Sequence, residues 1–334
     1  MKTLMVLEAA QADAVEVSGL VAVDPPLRNA LRVVEQMAKR SSGVLITGPT
    51  GVGKELLAAQ VHARSGRRGA FVAINCAAFS EGLAESALFG HVRGAFTGAV
   101  SNAQGAFVEA HRGTLFLDEM GELDPSVQAK LLRVLEEGSV RPVGASKSTP
   151  VDVRIVAATN RDLRQEISAS RFRADLFFRI ATFIIEVPAL RERPGDLDAL
   201  IQRFLAQHDR APRVLLSTAA RRALLNYAWP GNVRELRNVM ERILALAPPG
   251  EISEATLLTL APELSQVPVD APPAEGASLR QALARTERRL IRARLASGDG
   301  HRQRLADDLG VHRTTLWRKM KRLSASDDPP PSRV

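Results

Sequence analysis

The glycine-rich segment 48–55, Gly-Pro-Thr-Gly-Val-Gly-Lys-Glu, most constrains the fold of this chain. It follows an apolar, β-favouring run at 44–47 and precedes a helix-favouring run at 56–59. A glycine-rich turn between a strand and a helix lets backbone N–H groups and the helix N-terminus meet phosphate oxygens. The segment predicts a phosphate-binding loop in which Lys54 reaches the β- and γ-phosphates. Its members are Gly48, Pro49, Thr50, Gly51, Val52, Gly53, Lys54 and Glu55, the last standing where a Mg²⁺-binding Ser or Thr is usual.

Bulk properties narrow the class of protein. A length of 334 residues predicts two or three domains. No apolar run approaches the roughly 20 residues that span a bilayer, and a lone cysteine cannot form an internal disulfide. We therefore expect a cytoplasmic protein without a membrane partner.

The basic excess of the chain is concentrated near its C-terminus. The net charge is +8, and residues 275–334 carry 14 Arg and Lys against 7 Asp and Glu. This asymmetry predicts a nucleic-acid-binding domain there, with a solvated basic surface as the alternative.

The apolar segment 113–119 is predicted to be a strand that ends in two carboxylates. In phosphate-loop NTPases the first such acid, here Asp118, holds Mg²⁺ and the second, here Glu119, orients the attacking water. The alternative is a strand followed by a helix-capping acid. Further strands are predicted at 71–75 and 153–160, and parallel strands bring their carboxyl ends to one edge. The pattern predicts an α/β fold with a parallel sheet and helices on both faces.

Two other segments allow two interpretations each. Arg173 and Arg179 lie in an apolar stretch, where partly buried guanidinium groups need either an anionic ligand or a structural salt bridge. Phe96 lies on a loop between two glycines, so it either contacts a partner or is buried in a tight turn.

The C-terminal half is predicted to be helical. Helices are expected at 197–208, at 218–227 and from Asn232, as N-cap, towards Ala247. Helical runs at 304–309 and 313–323 around a Gly310 turn predict a helix–turn–helix. The predicted DNA contacts are Arg313, Thr314, Thr315, Arg318, Lys319, Lys321 and Arg322. The alternative is a basic helical hairpin that binds protein.

Together these motifs resemble those of the bacterial enhancer-binding proteins, AAA+ ATPases that activate sigma-54 RNA polymerase. The resemblance runs from about Val17 to Leu323. Its most specific part is the intact signature loop, and in the family this loop contacts sigma-54 and couples ATP hydrolysis to promoter opening. The loop consists of Gly94, Ala95, Phe96, Thr97, Gly98 and Ala99.

The resemblance also implies residue roles. It assigns Asp118 and Glu119 to the Walker B pair, Asn75 to restraint of the catalytic Glu119, and Thr159 and Asn160 to sensor I. It assigns Arg173 and Arg179 to arginine fingers that enter a neighbour's site, and Arg234 to sensor II. Glu55 is the family's usual residue. Val92 stands where the family usually has a Glu, Pro49 where an acidic residue is common, and His312 where a helix-capping Ser or Asn is usual.

The resemblance implies ATP and Mg²⁺ as cofactors, enhancer DNA and sigma-54 polymerase as partners, and a homo-oligomer ranging from dimer to hexameric ring. Because the ATPase region begins near the start of the sequence, we expect no N-terminal regulatory domain, and control either by a separate regulatory protein or by expression level. One rival hypothesis is a DNA-binding transcription factor whose ATPase body only assembles or senses nucleotide, and another is an ATP-driven DNA remodeller such as a helicase loader. The predicted divisions are an N-terminal extension (1–16), an AAA+ α/β ATPase subdomain (17–190), a helical lid (191–261), a linker (262–277), a Fis-type helix–turn–helix domain (278–325) and a tail (326–334).

Overall fold

The computed structural model of the chain describes residues 15–17, 19–79, 82–207 and 214–265. Most of the predicted N-terminal extension, the linker from residue 266 and the whole predicted helix–turn–helix domain with its seven DNA contacts lie outside the described residues.

The strands of the described chain are short, and the longest, β10, has six residues. In chain order they are β1 (Val15–Val17), β2 (Leu20–Ala22), β3 (Val44–Thr47), β4 (Phe71–Asn75), β5 (Gly90–His91), β6 (Ala103–Gln104), β7 (Thr114–Asp118), β8 (Ser139–Val140), β9 (Thr149–Pro150), β10 (Arg154–Thr159), β11 (Phe183–Glu186), β12 (Val214–Leu216) and β13 (Gly250–Ile252).

The helices alternate with the strands in the first part of the chain and predominate after β11. They are α1 (Pro25–Met37), α2 (Lys54–Ala63), α3 (Leu83–Phe89), α4 (Ala106–Glu109), α5 (Pro125–Glu137), α6 (Leu163–Ser168), α7 (Ala174–Ile180), α8 (Pro194–Gln207), α9 (Thr218–Asn226), α10 (Asn232–Leu246) and α11 (Glu254–Leu260).

Five strands form one parallel sheet in the order β11-β3-β10-β7-β4. All of β10 and nearly all of β3 and β7 are buried, which explains why these strands read as continuous apolar runs. The predicted parallel α/β sheet is confirmed. Sequence analysis did not predict the edge strand β11.

Helices cover both faces of the sheet. Successive residues of β7 point in opposite directions, so Leu115 and Leu117 enter one core and Phe116 the other. Helices α1 and α2 pack on the Phe116 side, whereas α3, α5 and α7 pack on the opposite side. The sheet is thereby held rigid while its carboxyl edge stays available for ligands.

The helical unit that follows has its own core. Helices α8 to α11 pack around Trp229, whose Nε1 donates to the Leu224 carbonyl oxygen over 2.9 Å. Leu264 is buried in the same core, within the 3₁₀ turn Pro262–Ser265. These four residues therefore pack with the helical unit, although sequence analysis assigned them to the linker. Across the described residues, no helix is long and apolar enough to cross a membrane.

Candidate active site

The predicted phosphate-binding loop joins β3 to α2, and Gly53 in a left-handed conformation precedes the first helical residue, Lys54. Two of its glycines are required by close packing. A Cβ on Gly48 would lie 2.3 Å from the carbonyl oxygen of Val187, and one on Gly51 would lie 2.4 Å from that of Gly231. The loop is therefore packed between the end of β11 and the helical unit.

Lys54 points back into its own loop. Its side chain is buried, and its Nζ donates to the carbonyl oxygens of Gly48 over 2.9 Å and Pro49 over 3.4 Å. The third neighbour is Glu119, whose Oε1 is 3.5 Å from Nζ. A phosphate group would therefore compete with Glu119 and two carbonyls for this ammonium.

Asp118 is the last residue of β7 and Glu119 follows it directly, as predicted. Glu119 has a left-handed backbone with φ of 49°, a conformation that strains a residue with a side chain. Its N–H donates to Asp118 Oδ1 over 3.0 Å. Burial, followed by repulsion from Glu119, raises the pKa of Asp118 above its ordinary value.

These carboxylates fit a magnesium ion. A desolvated, like-charged carboxylate pair gains stability when a cation binds, and Mg²⁺ is usually held by one or two carboxylates together with phosphate oxygens and water. Asp118 would be the protein ligand. Within the described chain, no three His, Cys, Asp or Glu side chains cluster as a metal site. The remaining ligands would therefore come from the nucleotide and water.

Of the two predicted sensor I residues, only one faces the cleft. Asn160 is exposed; its Nδ2 donates to Thr50 Oγ1 over 2.9 Å, and its backbone N–H donates to Glu119 Oε2 over 3.2 Å. Thr159 is fully buried, and its Oγ1 accepts from the Arg161 N–H over 3.0 Å. Its side chain therefore stabilises the turn after β10 instead of contacting a ligand.

Asn75 lies opposite Asp118 in the sheet register, at the rim of the same cleft. Its Oδ1 accepts from the Ala77 N–H over 2.9 Å and so caps the short 3₁₀ turn after β4. The predicted restraint of Glu119 by Asn75 is not present in this structure. The partners of the Glu119 carboxylate are Lys54 and the Asn160 N–H.

The phosphate loop, the two carboxylates and helix α10 enclose a cleft of about 380 Å³. The predicted Arg234 lines this cleft. Arg237 and Asn238, on the next turn of the same helix, also line it but were missed in the sequence. Their spacing of three and four residues from Arg234 could have indicated a shared helix face.

The helical unit is tied directly to the phosphate loop by Asn232. Its Oδ1 accepts from the Leu190 N–H over 2.8 Å, and its Nδ2 donates to the Thr50 carbonyl oxygen over 2.9 Å. The N–H groups of Val233 and Arg234 both donate to the Gly51 carbonyl oxygen. The prediction that Asn232 caps its own helix is wrong: Gly231 holds that position and the Asn232 amide bridges two subdomains.

A buried ion pair makes a second connection. Arg193 Nη2 donates to the Val52 carbonyl oxygen over 2.8 Å, and its Nη1 is 3.6 Å from Asp196 Oδ2. The other oxygen of Asp196 accepts from the Val23 and Asp24 N–H groups. The start of α8, the phosphate loop and the segment before α1 thus meet at one point. A movement of the helical unit would therefore displace the phosphate-binding loop.

Replacing Asn232 with alanine should destabilise the protein by about 1–3 kcal/mol, because the Leu190 N–H would stay buried without an acceptor. Alanine at the Asn232 φ of 54° adds about 1–2 kcal/mol of backbone strain. Urea unfolding of the nucleotide-free protein measures the loss. Asn232→Gly is the matched control, since it removes the amide without that strain. Wild-type stability in Asn232→Ala would show that the bridge contributes nothing.

The predicted arginine fingers lie away from the cleft of their own chain. Arg173 and Arg179 are both exposed, which corrects the expectation that they are partly buried. Arg173 Nη2 pairs with Asp175 Oδ2 at 2.7 Å, and Arg179 Nη2 donates to the Leu135 carbonyl oxygen over 2.8 Å. Neither residue lines the cleft.

The segment 94–99 forms a compact loop between β5 and β6. The Gly94 N–H donates to the Ala99 carbonyl oxygen, and the Ala99 N–H donates to that of Phe96. Phe96 is 39% exposed, with its ring centroid 5.0 Å from that of His91, and Thr97 is exposed beside it. The structure therefore favours an accessible Phe96 over a buried one.

At the base of this loop, Val92 makes an apolar contact in place of the family's usual charge. A Cβ on Gly144, in the β8–β9 connection, would lie 3.1 Å from Val92 Cγ2 and 2.8 Å from the Ala95 Cβ. The Val92 N–H donates to the Val143 carbonyl oxygen over 3.1 Å. The loop is thus packed against the β8–β9 connection.

Three protein-family models match the chain. The sigma-54 interaction domain matches residues 20–186, the AAA+ ATPase lid domain residues 191–271, and the Fis family of bacterial regulatory proteins residues 282–323. The matches agree with the predicted fold class, including its C-terminal helix–turn–helix.

Curated relatives of the chain are transcription regulators. The chain is 44% identical over 321 residues to the anaerobic nitric oxide reductase transcription regulator NorR of Salmonella newport (strain SL254), with 92% of the chain and 63% of the relative covered. It is 43% identical over 330 residues to the NorR of Escherichia coli O157:H7 (strain EC4115 / EHEC), with coverages of 96% and 66%. The chain thus spans less than two thirds of the length of these curated relatives.

Among solved structures, NtrX from Brucella abortus in complex with ATP is similar, with a TM-score of 0.66, 34% identity and coverage of 92% of this chain and 69% of that one. Its complex with ADP gives a TM-score of 0.69. A point mutant of RuvB from Thermotoga maritima, at 19% identity and a TM-score of 0.51, with 86% of this chain and 83% of that one covered, shares the fold.

Proposed function

The chain belongs to the sigma-54 interaction family of AAA+ ATPases, and on this premise we propose that it hydrolyses ATP to activate sigma-54 RNA polymerase. One observation carries the proposal. A single cleft brings Lys54, Asp118, Glu119 and Arg234 together, while the loop bearing Phe96 and Thr97 protrudes elsewhere. In this proposal, hydrolysis and partner contact thus use separate residues of the chain.

In this proposal the cleft binds ATP with Mg²⁺. Lys54 exchanges Glu119 for the terminal phosphates, and the metal would screen the charge of Asp118. The freed Glu119 carboxylate, held by the Asn160 N–H, orients the attacking water and accepts its proton. Arg234 pairs with the phosphates, so its position depends on their charge. Because the helix of Arg234 is hydrogen-bonded to Gly51, hydrolysis changes the position of the helical unit.

We further propose that the chain assembles into a ring. Helix α7 carries Phe178 with 75% of its surface exposed, between Arg173 and Arg179. An exposed aromatic beside two exposed arginines favours a surface that a neighbouring subunit covers. Each pair of arginines would then reach the ATP of the next subunit. The C-terminal domain would hold the ring on enhancer DNA through Arg313 and Arg318, in the cytoplasm.

Thr97→Ala tests the function, since Thr97 lies outside the cleft. The variant should keep wild-type ATP affinity and DNA binding but lose most open-promoter formation. The measurement is promoter melting by permanganate footprinting with sigma-54 holoenzyme and ATP, with phosphate release recorded in parallel. Ser101→Ala, another exposed hydroxyl nearby, is the control. Normal melting by Thr97→Ala would favour the rival function, a DNA-binding factor that only senses nucleotide.

A further inference from the structure

A dense group of cations lies at the edge of the sheet opposite the nucleotide cleft. The loops 38–43, 64–70, 111–113 and 151–153 precede β3, β4, β7 and β10, and parallel strands begin at one common edge. We call these four loops the basic edge. They carry a single carboxylate, Asp152, and six cations: Lys39, Arg40, Arg64, Arg67, Arg68 and Arg112.

The loops of the basic edge are bonded to one another. Arg67 Nη1 donates to the carbonyl oxygens of Gly113 and Asp152, and its Nη2 is 2.8 Å from Asp152 Oδ1. The Gly69 N–H donates to the Arg112 carbonyl oxygen, and the Arg112 N–H donates to that of Asp152. The buried Arg154 donates to the Ala38 carbonyl oxygen. The backbones of the four loops are therefore joined into one surface that carries the cations.

Few carboxylates offset this charge. Arg67 pairs with Asp152, and Arg64 lies 4.0 Å from Glu35. Lys39, Arg40, Arg68 and Arg112 are exposed and, within the described residues, their side chains form no ion pair or hydrogen bond. Four positive charges thus remain for an outside partner.

Two titratable groups beneath this surface lie close to other cations. Burial, with a contribution from Arg67, lowers the pKa of Arg154 to about 10. Burial, together with Arg154 and Arg67, also lowers the pKa of His62. Arg67 and the buried Arg154 therefore lie close to each other and to His62 beneath the basic edge.

Arg112 also keeps a backbone conformation that favours glycine. Its φ is 59°, which costs a residue with a side chain about 1–2 kcal/mol. This strained position carries a guanidinium group. Strain of this kind accumulates where a side chain has a function.

We infer that the basic edge binds the phosphate backbone of duplex DNA, apart from the predicted helix–turn–helix. Four adjacent strands span about 14 Å, over which duplex DNA presents about eight phosphate charges. Glycine, serine and alanine fill most of the space between the cations in these loops, so a flat polyanion can approach closely. Guanidinium groups without base-reading amides contact phosphates irrespective of sequence.

The inference is tested on the full chain with two triple variants of equal charge change. The edge variant combines Arg40→Ala, Arg68→Ala and Arg112→Gly. The control variant combines Arg133→Ala, Arg164→Ala and Arg222→Ala, three exposed arginines on other surfaces. Binding of a labelled random-sequence duplex is followed by fluorescence anisotropy over a range of salt concentrations.

The edge variant should lower the slope of log affinity against log salt by about 2–3 units, since each lost phosphate contact removes about 0.9. The control variant should keep the wild-type slope, and both should keep wild-type ATP turnover. A wild-type slope in the edge variant, or an equal fall in both variants, would overturn the inference. The first result would point to an acidic protein partner or a solvated face, and the second to net charge alone.

Single variants at Arg112 separate binding from structure. Arg112→Gly relieves the φ of 59°, so thermal unfolding should occur at the same or a higher temperature while DNA affinity falls. Arg112→Lys keeps both the strain and the charge, and should retain most of the affinity. Loss of stability in Arg112→Gly with unchanged affinity would assign Arg112 a structural role and contradict the inference.

Discussion

Replacing Glu119 with glutamine should lower ATP turnover by about 10²–10⁴-fold while ATP still binds. Glutamine has the same shape, but it cannot accept a proton from the attacking water. The left-handed backbone at this position strains both residues alike. The substitution therefore changes the charge and little else, and rings with bound ATP should accumulate.

The contacts of Lys54 sharpen this expectation for ATP affinity. Glu119 Oε1 lies 3.5 Å from Lys54 Nζ, and ATP must displace this partner before Lys54 can bind phosphate. Without the carboxylate charge, Lys54 retains only the carbonyl oxygens of Gly48 and Pro49. The Glu119→Gln variant should thus bind ATP as tightly as the wild type or more tightly.

Two measurements on the same preparation check this prediction: phosphate release for turnover, and equilibrium titration with a fluorescent ATP analogue for affinity. Asp118→Asn is the contrasting variant, because it should weaken Mg²⁺-dependent ATP binding as well as turnover. If Glu119→Gln lost affinity and turnover in the same proportion, the role of Glu119 as the base would be misassigned.

The parts of this site that sequence analysis predicted correctly are local in the chain. The phosphate loop follows directly on β3, Asp118 ends β7 and Glu119 follows it, so strand, turn and helix can be predicted from neighbouring residues. The apolar runs of the buried strands β3, β7 and β10 also predicted their parallel arrangement.

The parts it missed depend on contacts between distant residues. Asn232 meets Thr50 across 182 positions, and Asp196 meets Val23 across 173. No periodicity in the sequence marks such pairs, so Asn232 was interpreted as a cap of its own helix.

The direction of side chains at a strand end could not be predicted from the sequence either. Thr159 is the last residue of β10 and is buried, whereas the adjacent Asn160 lies after the strand and contacts Thr50 and Glu119. Thr159 is then held by the Arg161 N–H, which is a local contact that the motif itself does not specify.

A second large fall in ATP turnover is expected when Arg173 or Arg179 is replaced. Replacing either with alanine should lower turnover by about 10³–10⁵-fold, the range that arginine fingers contribute in phosphoryl transfer. Neither side chain lines the cleft of its own chain: Arg173 is held by Asp175, and Arg179 by the Leu135 carbonyl oxygen. These partners are weak enough at an exposed surface to be exchanged for phosphate. Each arginine would thus act on a neighbouring subunit.

Mixing two inactive variants tests that geometry. An Arg173→Ala subunit keeps an intact Lys54, and a Lys54→Ala subunit keeps intact arginines. In a mixed ring, the cleft of an Arg173→Ala subunit is complete when a Lys54→Ala subunit lies beside it, so ATPase activity should return.

A mixture of Lys54→Ala with Glu119→Gln is the control, because each of those defects disables the cleft of its own subunit and no neighbour can repair it. Phosphate release measured against the mixing ratio should peak at intermediate ratios for the first pair and stay flat for the second. Absence of any peak, with mixed rings verified by cross-linking, would show that the arginines do not act across a subunit boundary.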